Sequence, residues 1–257
     1  MNQKTYYYDF LTDDIVESRH QDYQLPSDYQ WLPRGLWQSL IRWLVRTGAT
    51  GFAFIYTRLF CGVKIVNRAK LKPFRQQAYI IYGNHTQPVN DVFMPLLITN
   101  PYHFYALAAP ANWGIPIIGK LLKYGGAIPT GQTQSQLRSM LDAIDQLLHQ
   151  GGHLVIYPEA HVWPSYTKIR PFATSSFRFA VSHQVPTFVM TTTYQGKRWT
   201  GQPKIVVYLD GPYQAPTNLK TKAQQKWLHD QVSRQMQQRA QLNTYQQFNY
   251  QKEDANQ

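Results

Sequence analysis

The chain has 257 residues, 43% of them hydrophobic, which suits one α/β domain with a single core. Its 26 Lys and Arg against 14 Asp and Glu give a formal net charge of +12, which points to anionic partners: phospholipid headgroups, nucleic acid or acidic carriers. Cys61, the one cysteine, excludes an internal disulfide, and no secretory leader opens the sequence, so a reducing cytoplasm is the expected setting.

Residues 1–33 carry most of the acidic side chains of the first half (Asp9, Asp13, Asp14, Glu17, Asp22 and Asp28) without a sustained period, and are predicted to form an irregular arm. From Trp37, the residues Leu40, Ile41, Leu44 and Val45 recur at helical spacing, while Arg34, Gln38, Arg42 and Arg46 step round another side. A second apolar segment, 51–60, follows Gly48, so residues 34–63 are predicted to be an amphipathic helical hairpin with a basic face. It either associates with a membrane or packs on the core. Arg42, Arg46 and Arg58 leave only the 11 residues 47–57 between charges. A conventional span, which needs roughly 20, is therefore not expected.

Beyond residue 63, strand-like runs at 78–82, 102–108, 153–157, 187–192 and 204–209 alternate with helix-like runs at 92–98, 134–149, 175–182 and 219–240. That alternation predicts a mostly parallel central sheet flanked by helices over residues 64–242. Residues 243–257 are Gln-rich and polar and read as a frayed tail.

The sharpest local feature is Asn84-His85-Thr86-Gln87-Pro88-Val89-Asn90-Asp91, set between a β-rich run and a helix-like run. A strand-end imidazole takes a proton from an alcohol at neutral pH, and a carboxylate on its other nitrogen holds the ring and stabilises the imidazolium. The plainer alternative is that Asn90 or Asp91 caps the helix and His85 fills the strand end. A second feature, Tyr157-Pro158-Glu159-Ala160-His161, ends a strand of buried type, at the sheet edge where α/β proteins bind ligands.

In order and spacing, four blocks resemble those of the lysophosphatidic-acid-type glycerolipid acyltransferases. They are Asn84-His85 with Asp91, Gly126-Ala127-Ile128-Pro129-Thr130, Tyr157-Pro158-Glu159, and Val185-Pro186-Thr187-Phe188-Val189, all within residues 64–210. The resemblance implies an α/β acyltransferase domain that moves an acyl chain from a thioester of coenzyme A or acyl carrier protein to the hydroxyl of a lysolipid. It implies no acyl-enzyme, metal or cofactor, with His85 as general base and Asp91 as its partner. It also implies substrate-binding positions at Asn84, Asn90, Gly126, Thr130 and Glu159, and a peripheral place on the cytoplasmic face of the cell membrane.

Three departures bear on the acceptor. Five residues separate His85 from Asp91 where the family has four, so either the loop absorbs one residue or Asn90 takes the carboxylate position. Gln132 and Val162 stand where the family carries arginines associated with the acceptor's phosphate, and Ala160 and His161 replace the preceding Gly-Thr. Without those guanidinium groups, either the acceptor lacks the phosphate or Lys168, Arg170, Lys120 or Lys123 binds it, with His161 a secondary donor. The rival class is a non-catalytic basic protein on anionic membrane or nucleic acid, but no nucleic-acid-binding signature is present, so nucleic acid is not expected. Gly114 to Lys120 mimics a phosphate loop, but Leu121 stands where its Ser or Thr would be.

Overall fold

The computed structural model describes residues 3–16, 20–197 and 203–253; Glu17 of the acidic arm lies outside them. In chain order the elements are β1 (Gln3–Tyr7), α1 (Leu36–Ala53), β2 (Lys64–Val66), β3 (Tyr79–Gly83), α2 (Asn90–Ile98), β4 (Phe104–Ala108), α3 (Ile118–Gly125), β5 (Ala127–Pro129), α4 (Gln134–His149), β6 (His153–Ile156), α5 (Arg178–Ser182), β7 (Thr187–Gly196), β8 (Pro203–Tyr213), α6 (Thr221–Ala240) and β9 (Phe248–Lys252).

Seven strands form the main sheet in the order β2-β8-β7-β3-β6-β4-β5, parallel at every pair except β7 with β8. β3 and β6 lie side by side at its centre and are buried along their whole length, which is why both read as unbroken apolar runs. Alternate side chains of β3 enter two cores. Ile80 and Tyr82 meet Ile144, Leu147, Phe177 and Val232 from the side of α4 and α6, whereas Tyr79 and Ile81 meet Met94, Phe188 and Ala53 from the side of α1 and α2. The result is helices on both faces of one sheet, as the alternation predicts. The α4 helix starts at Thr133, whose hydroxyl accepts from the Gln136 amide, and occupies the span expected of it.

The predicted hairpin is absent. α1 continues without a turn into a π-helical segment, Phe54–Phe60, so residues 36–60 form one helical rod. Gly48 and Gly51, which suggested a break, sit on its open side, where an added Cβ would meet no other part of the protein within 4 Å. Contacts elsewhere hold the rod through them, against about 1 kcal/mol of intrinsic penalty per glycine.

The rod is also turned the other way round from a basic-face surface helix. Arg46 is fully buried, with Nη1 donating to the Pro101 carbonyl at 2.7 Å and Nε to the Tyr124 carbonyl at 3.1 Å, and Arg42 Nη1 donates to the Tyr105 hydroxyl. Leu36, Trp37, Leu40, Trp43 and Leu44 face out.

The arm and the tail are ordered against each other where they were expected to be irregular. β1 pairs in parallel with β9, and Tyr7, Phe10 and Tyr250 close on the fully buried Trp163 ring at centroid distances of 4.8, 5.3 and 5.0 Å. The overall polarity of the tail conceals the alternation of Phe248 and Tyr250, which supplies the packing face.

Because two carbonyls would lose a charged donor and a cavity would open, Arg46→Ala should destabilise the fold by about 3 kcal/mol. Urea unfolding reads this directly, and an unshifted midpoint would mean that Arg46 does not anchor the rod.

Candidate active site

β3 and β6 run in parallel with Tyr82 opposite Ile156, so the residues three further on, His85 and Glu159, leave the sheet level with each other. The two expected motifs thus meet at the carboxyl edge of the sheet's central pair. The chain steps from β3 outward to β4 and β5, and later from β6 across β3 to β7, which makes this edge the switch point where α/β sheets bind ligands.

The His85 ring is held on two sides. Its Nδ1 lies 2.8 Å from Asp91 Oδ2, and its face stacks on Tyr157 at a centroid distance of 4.4 Å and an angle of 18°. The same Oδ2 accepts from the amides of Thr86 and Gln87, both at 2.9 Å, so the carboxylate at the first turn of α2 binds the loop backbone as well as the imidazole. The Asp91 side chain is wholly buried and that of His85 is 18% exposed. With Nδ1 committed to Asp91, Nε2 is the nitrogen free to exchange a proton with a substrate.

The extra loop residue is therefore absorbed, and Asp91 meets the histidine. Asn90 points elsewhere: it is buried, and its Oδ1 accepts from the Thr57 hydroxyl at 2.9 Å, tying α2 to the helical rod. The expectation that Asn90 contacts substrate is corrected, because its carbonyl serves a helix–helix contact.

Among the other residues expected to bind substrate, Asn84 and Gly126 are engaged with the protein's own backbone, whereas Thr130 is open to solvent. Asn84 is buried, with Nδ2 donating to the Thr192 carbonyl and Oδ1 accepting from the Thr192 amide, so it clamps the end of β3 to β7. Gly126 ends α3 at φ 101°, and a Cβ there would lie 2.4 Å from the Phe104 carbonyl, so the glycine permits close backbone packing. Thr130 is exposed, with its amide donating to the Ala108 carbonyl.

Glu159 and Arg170 form a pair with both side chains 1% exposed. The carboxylate accepts from the amides of His85 and Arg170, while the guanidinium donates to the carbonyls of Glu159 and His161 and lies over Trp163. Burial pushes the Glu159 carboxyl up and the Arg170 guanidinium down, and their mutual attraction opposes both shifts. Neither group reaches solvent, so the pair braces the loop behind His85, and the expectation of Arg170 as a phosphate ligand is corrected by its burial. Lys168 is exposed, and His161 is one-third exposed with Nδ1 3.7 Å from Asp14.

Three participants escaped the sequence reading. Tyr157, whose phenol is raised well above its usual range by burial, remains a donor and bonds the Asp91 carbonyl at 2.6 Å. Tyr194 donates to the carbonyl and hydroxyl oxygens of Thr86. The arm is the third: Gln132 receives the Leu25 amide and donates to the Tyr23 carbonyl, each at 2.8 Å, while Asp13 accepts from the Trp163 indole. Tyr157 alone had a signal, as the aromatic of its Tyr-Pro-Glu block.

The sequence profile of the acyltransferase family matches residues 62–193, just over half of the chain. The protein belongs to that family. The matched span contains His85, Asp91 and Glu159, and it sets aside the reading of the acyltransferase as a non-catalytic basic binder. No curated protein matches the acyltransferase by sequence. Among solved structures, its fold is similar to that of PlsC, the 1-acyl-sn-glycerophosphate (LPA) acyltransferase from Thermotoga maritima, at a TM-score of 0.54 and 18% identity over 77% of this chain and 81% of that one.

Two sets of variants test the site. His85→Ala should abolish acyl transfer with little change in unfolding midpoint, and Asp91→Asn should lower turnover by orders of magnitude while Asn90→Ala leaves kcat much less affected. Equal losses from Asp91→Asn and Asn90→Ala would remove Asp91 from its role. Separately, Glu159→Gln strands a buried cation and should destabilise by about 3–5 kcal/mol, measured by chemical unfolding.

Proposed function

We propose that the acyltransferase moves a fatty acyl chain from a thioester of coenzyme A or acyl carrier protein to the hydroxyl of a lysolipid or related glycerolipid at a membrane surface. The observation that carries this reading is the His85–Asp91 contact of 2.8 Å at the sheet's switch point, within the family's matched span.

In this mechanism Nε2 of His85 takes the proton of the acceptor hydroxyl as its oxygen attacks the thioester carbonyl. Asp91 holds Nδ1–H and stabilises the imidazolium. Collapse of the tetrahedral adduct breaks the C–S bond, and Nε2 returns the proton to the departing thiolate. The products are the ester and the free thiol, and the enzyme regains its neutral imidazole without a covalent intermediate.

The acceptor we infer lacks a terminal phosphate. A desolvated phosphate needs charge-assisted donors, each contributing about 1.5–3 kcal/mol. Gln132 carries no charge and holds the arm, Arg170 is enclosed with Glu159, and Asp14 stands beside His161.

We place the protein peripherally on the cytoplasmic leaflet, and the outward face of the rod supports the membrane contact. Trp37, Leu40, Trp43, Leu44, Ile55 and Leu59 present an exposed apolar strip on a protein of net charge +12, and no helix among the described residues is long and apolar enough to cross a membrane.

The test is mass spectrometry of the products formed from acyl thioesters and a panel of lysolipids and glycolipids, with lysophosphatidic acid and a phosphate-free acceptor in direct competition. An esterified, phosphate-free product that disappears in His85→Ala is expected. Strong preference for lysophosphatidic acid in wild type and in Lys168→Ala would overturn the acceptor assignment, and no esterified product from any acceptor would overturn the function.

A further inference from the structure

α3 packs along α1, joined near its end by Arg46 on the Tyr124 carbonyl. Near its start, Gly119 sits against the Trp113 carbonyl, Trp113 bonds Tyr29, and the neighbouring Gln30 accepts from Gln38 of α1. The start of α3 is thus linked through Trp113, Tyr29 and Gln30 to the first turns of the rod, where Leu36 and Trp37 are the most exposed apolar residues of α1.

That start is itself apolar and bare. Ile117 is 77% exposed, Ile118 54% and Leu121 42%, and Lys120 beside them is exposed as well. Ile117 also adopts φ 64° and ψ −56°, with the Ile118 amide donating back to the Pro116 carbonyl at 2.6 Å. This is the tight γ-turn that a β-branched residue enters only under strain. Ile117 lines one side of an open surface pocket of about 370 Å³ with His20, Asp22, Tyr23, Trp113 and Lys120, so no core packing accounts for the exposed isoleucine. A strained, exposed, β-branched tip is unfavourable in water and is explained if its surroundings are not water.

We propose that Ile117, Ile118 and Leu121 form a second foot that enters an anionic lipid bilayer beside the rod, with Lys120 meeting the headgroups. The proposal rests on the membrane reading above and adds orientation to it. A helix of 25 residues lying in the interface is a rod roughly 35 Å long that is free to roll about its own axis. A second apolar contact away from that axis removes the freedom and holds one face of the protein toward the lipid. Val89 and Val92, which flank Asn90 and Asp91, are exposed as well, so fixing the roll also fixes where the site meets its acceptor.

The experiment places single nitroxide labels on full-length protein in a Cys61→Ala background, at Ile117→Cys, Leu40→Cys and Lys222→Cys. Collision with oxygen and with a nickel chelate is measured before and after addition of phosphatidylglycerol–phosphatidylcholine vesicles. Labels at 117 and 40 should both gain oxygen and lose nickel accessibility, with 222 unchanged. A label at 117 that stays aqueous while that at 40 enters lipid overturns the second foot and leaves the membrane reading standing; if both stay aqueous, the membrane reading falls and the foot with it. As a second measurement, Ile117→Gly should unfold at an equal or higher denaturant concentration, because the turn is relieved, yet bind the same vesicles about tenfold more weakly. Unchanged vesicle affinity in Ile117→Gly overturns the proposal.

Discussion

One carboxylate oxygen organises the site. Asp91 Oδ2 gathers the His85 ring nitrogen and the amides of Thr86 and Gln87 into a single buried cluster, and Tyr157 fastens the backbone of the same aspartate from the neighbouring strand. A loop that must deliver two amides and an imidazole to one oxygen has little conformational freedom left. This is how a chain with one residue more than the family's usual spacing keeps the histidine and the acid in contact. Low polarity around the cluster strengthens each of these bonds and would penalise any one left unmade.

Behind that cluster the fold places a buried charge pair, and the roles of the motif residues divide accordingly. Asn84, Glu159 and Arg170 bond the protein's own backbone, so they shape the loop that His85 occupies. Residues that keep a motif therefore need not touch substrate. A buried ion pair is weak evidence for stability, since desolvation opposes it, but it does constrain geometry: both partners must stay together or leave a bare charge inside. The arm completes this layer by closing over Trp163 and by engaging Gln132, a position the family gives to arginine.

On the helical rod the usual logic of an amphipathic helix is inverted. Arg46 finds carbonyl partners inside and the half-buried Arg42 reaches the Tyr105 hydroxyl, so both turn toward the protein and the apolar strip is left outside. Long cationic side chains reach such partners when a neighbouring helix and strand end offer carbonyls, as Tyr124 and Pro101 do here.

The sequence by itself determined the α/β class, the parallel centre of the sheet and the place of His85 at a strand end just ahead of a helix. Those properties are local: buried parallel strands must be continuously apolar, as residues 79–82 and 153–156 are, and a strand-end histidine followed by a helix with an acid in its first turn is written within eight residues. The span of α4 was equally legible, since a capping threonine and a regular apolar period define it without help from elsewhere. Tertiary structure decided the rest. Helical periodicity reports that α1 has two faces and not which one meets the protein; that choice came from carbonyls more than 50 residues away. The strands β1 and β9 exist because each supplies the other's hydrogen bonds across nearly the whole chain, and neither end shows this alone. Whether Asn90 or Asp91 faces His85 was settled the same way. Two adjacent helix positions point about 100° apart, and the one turned away was claimed by Thr57 from the rod.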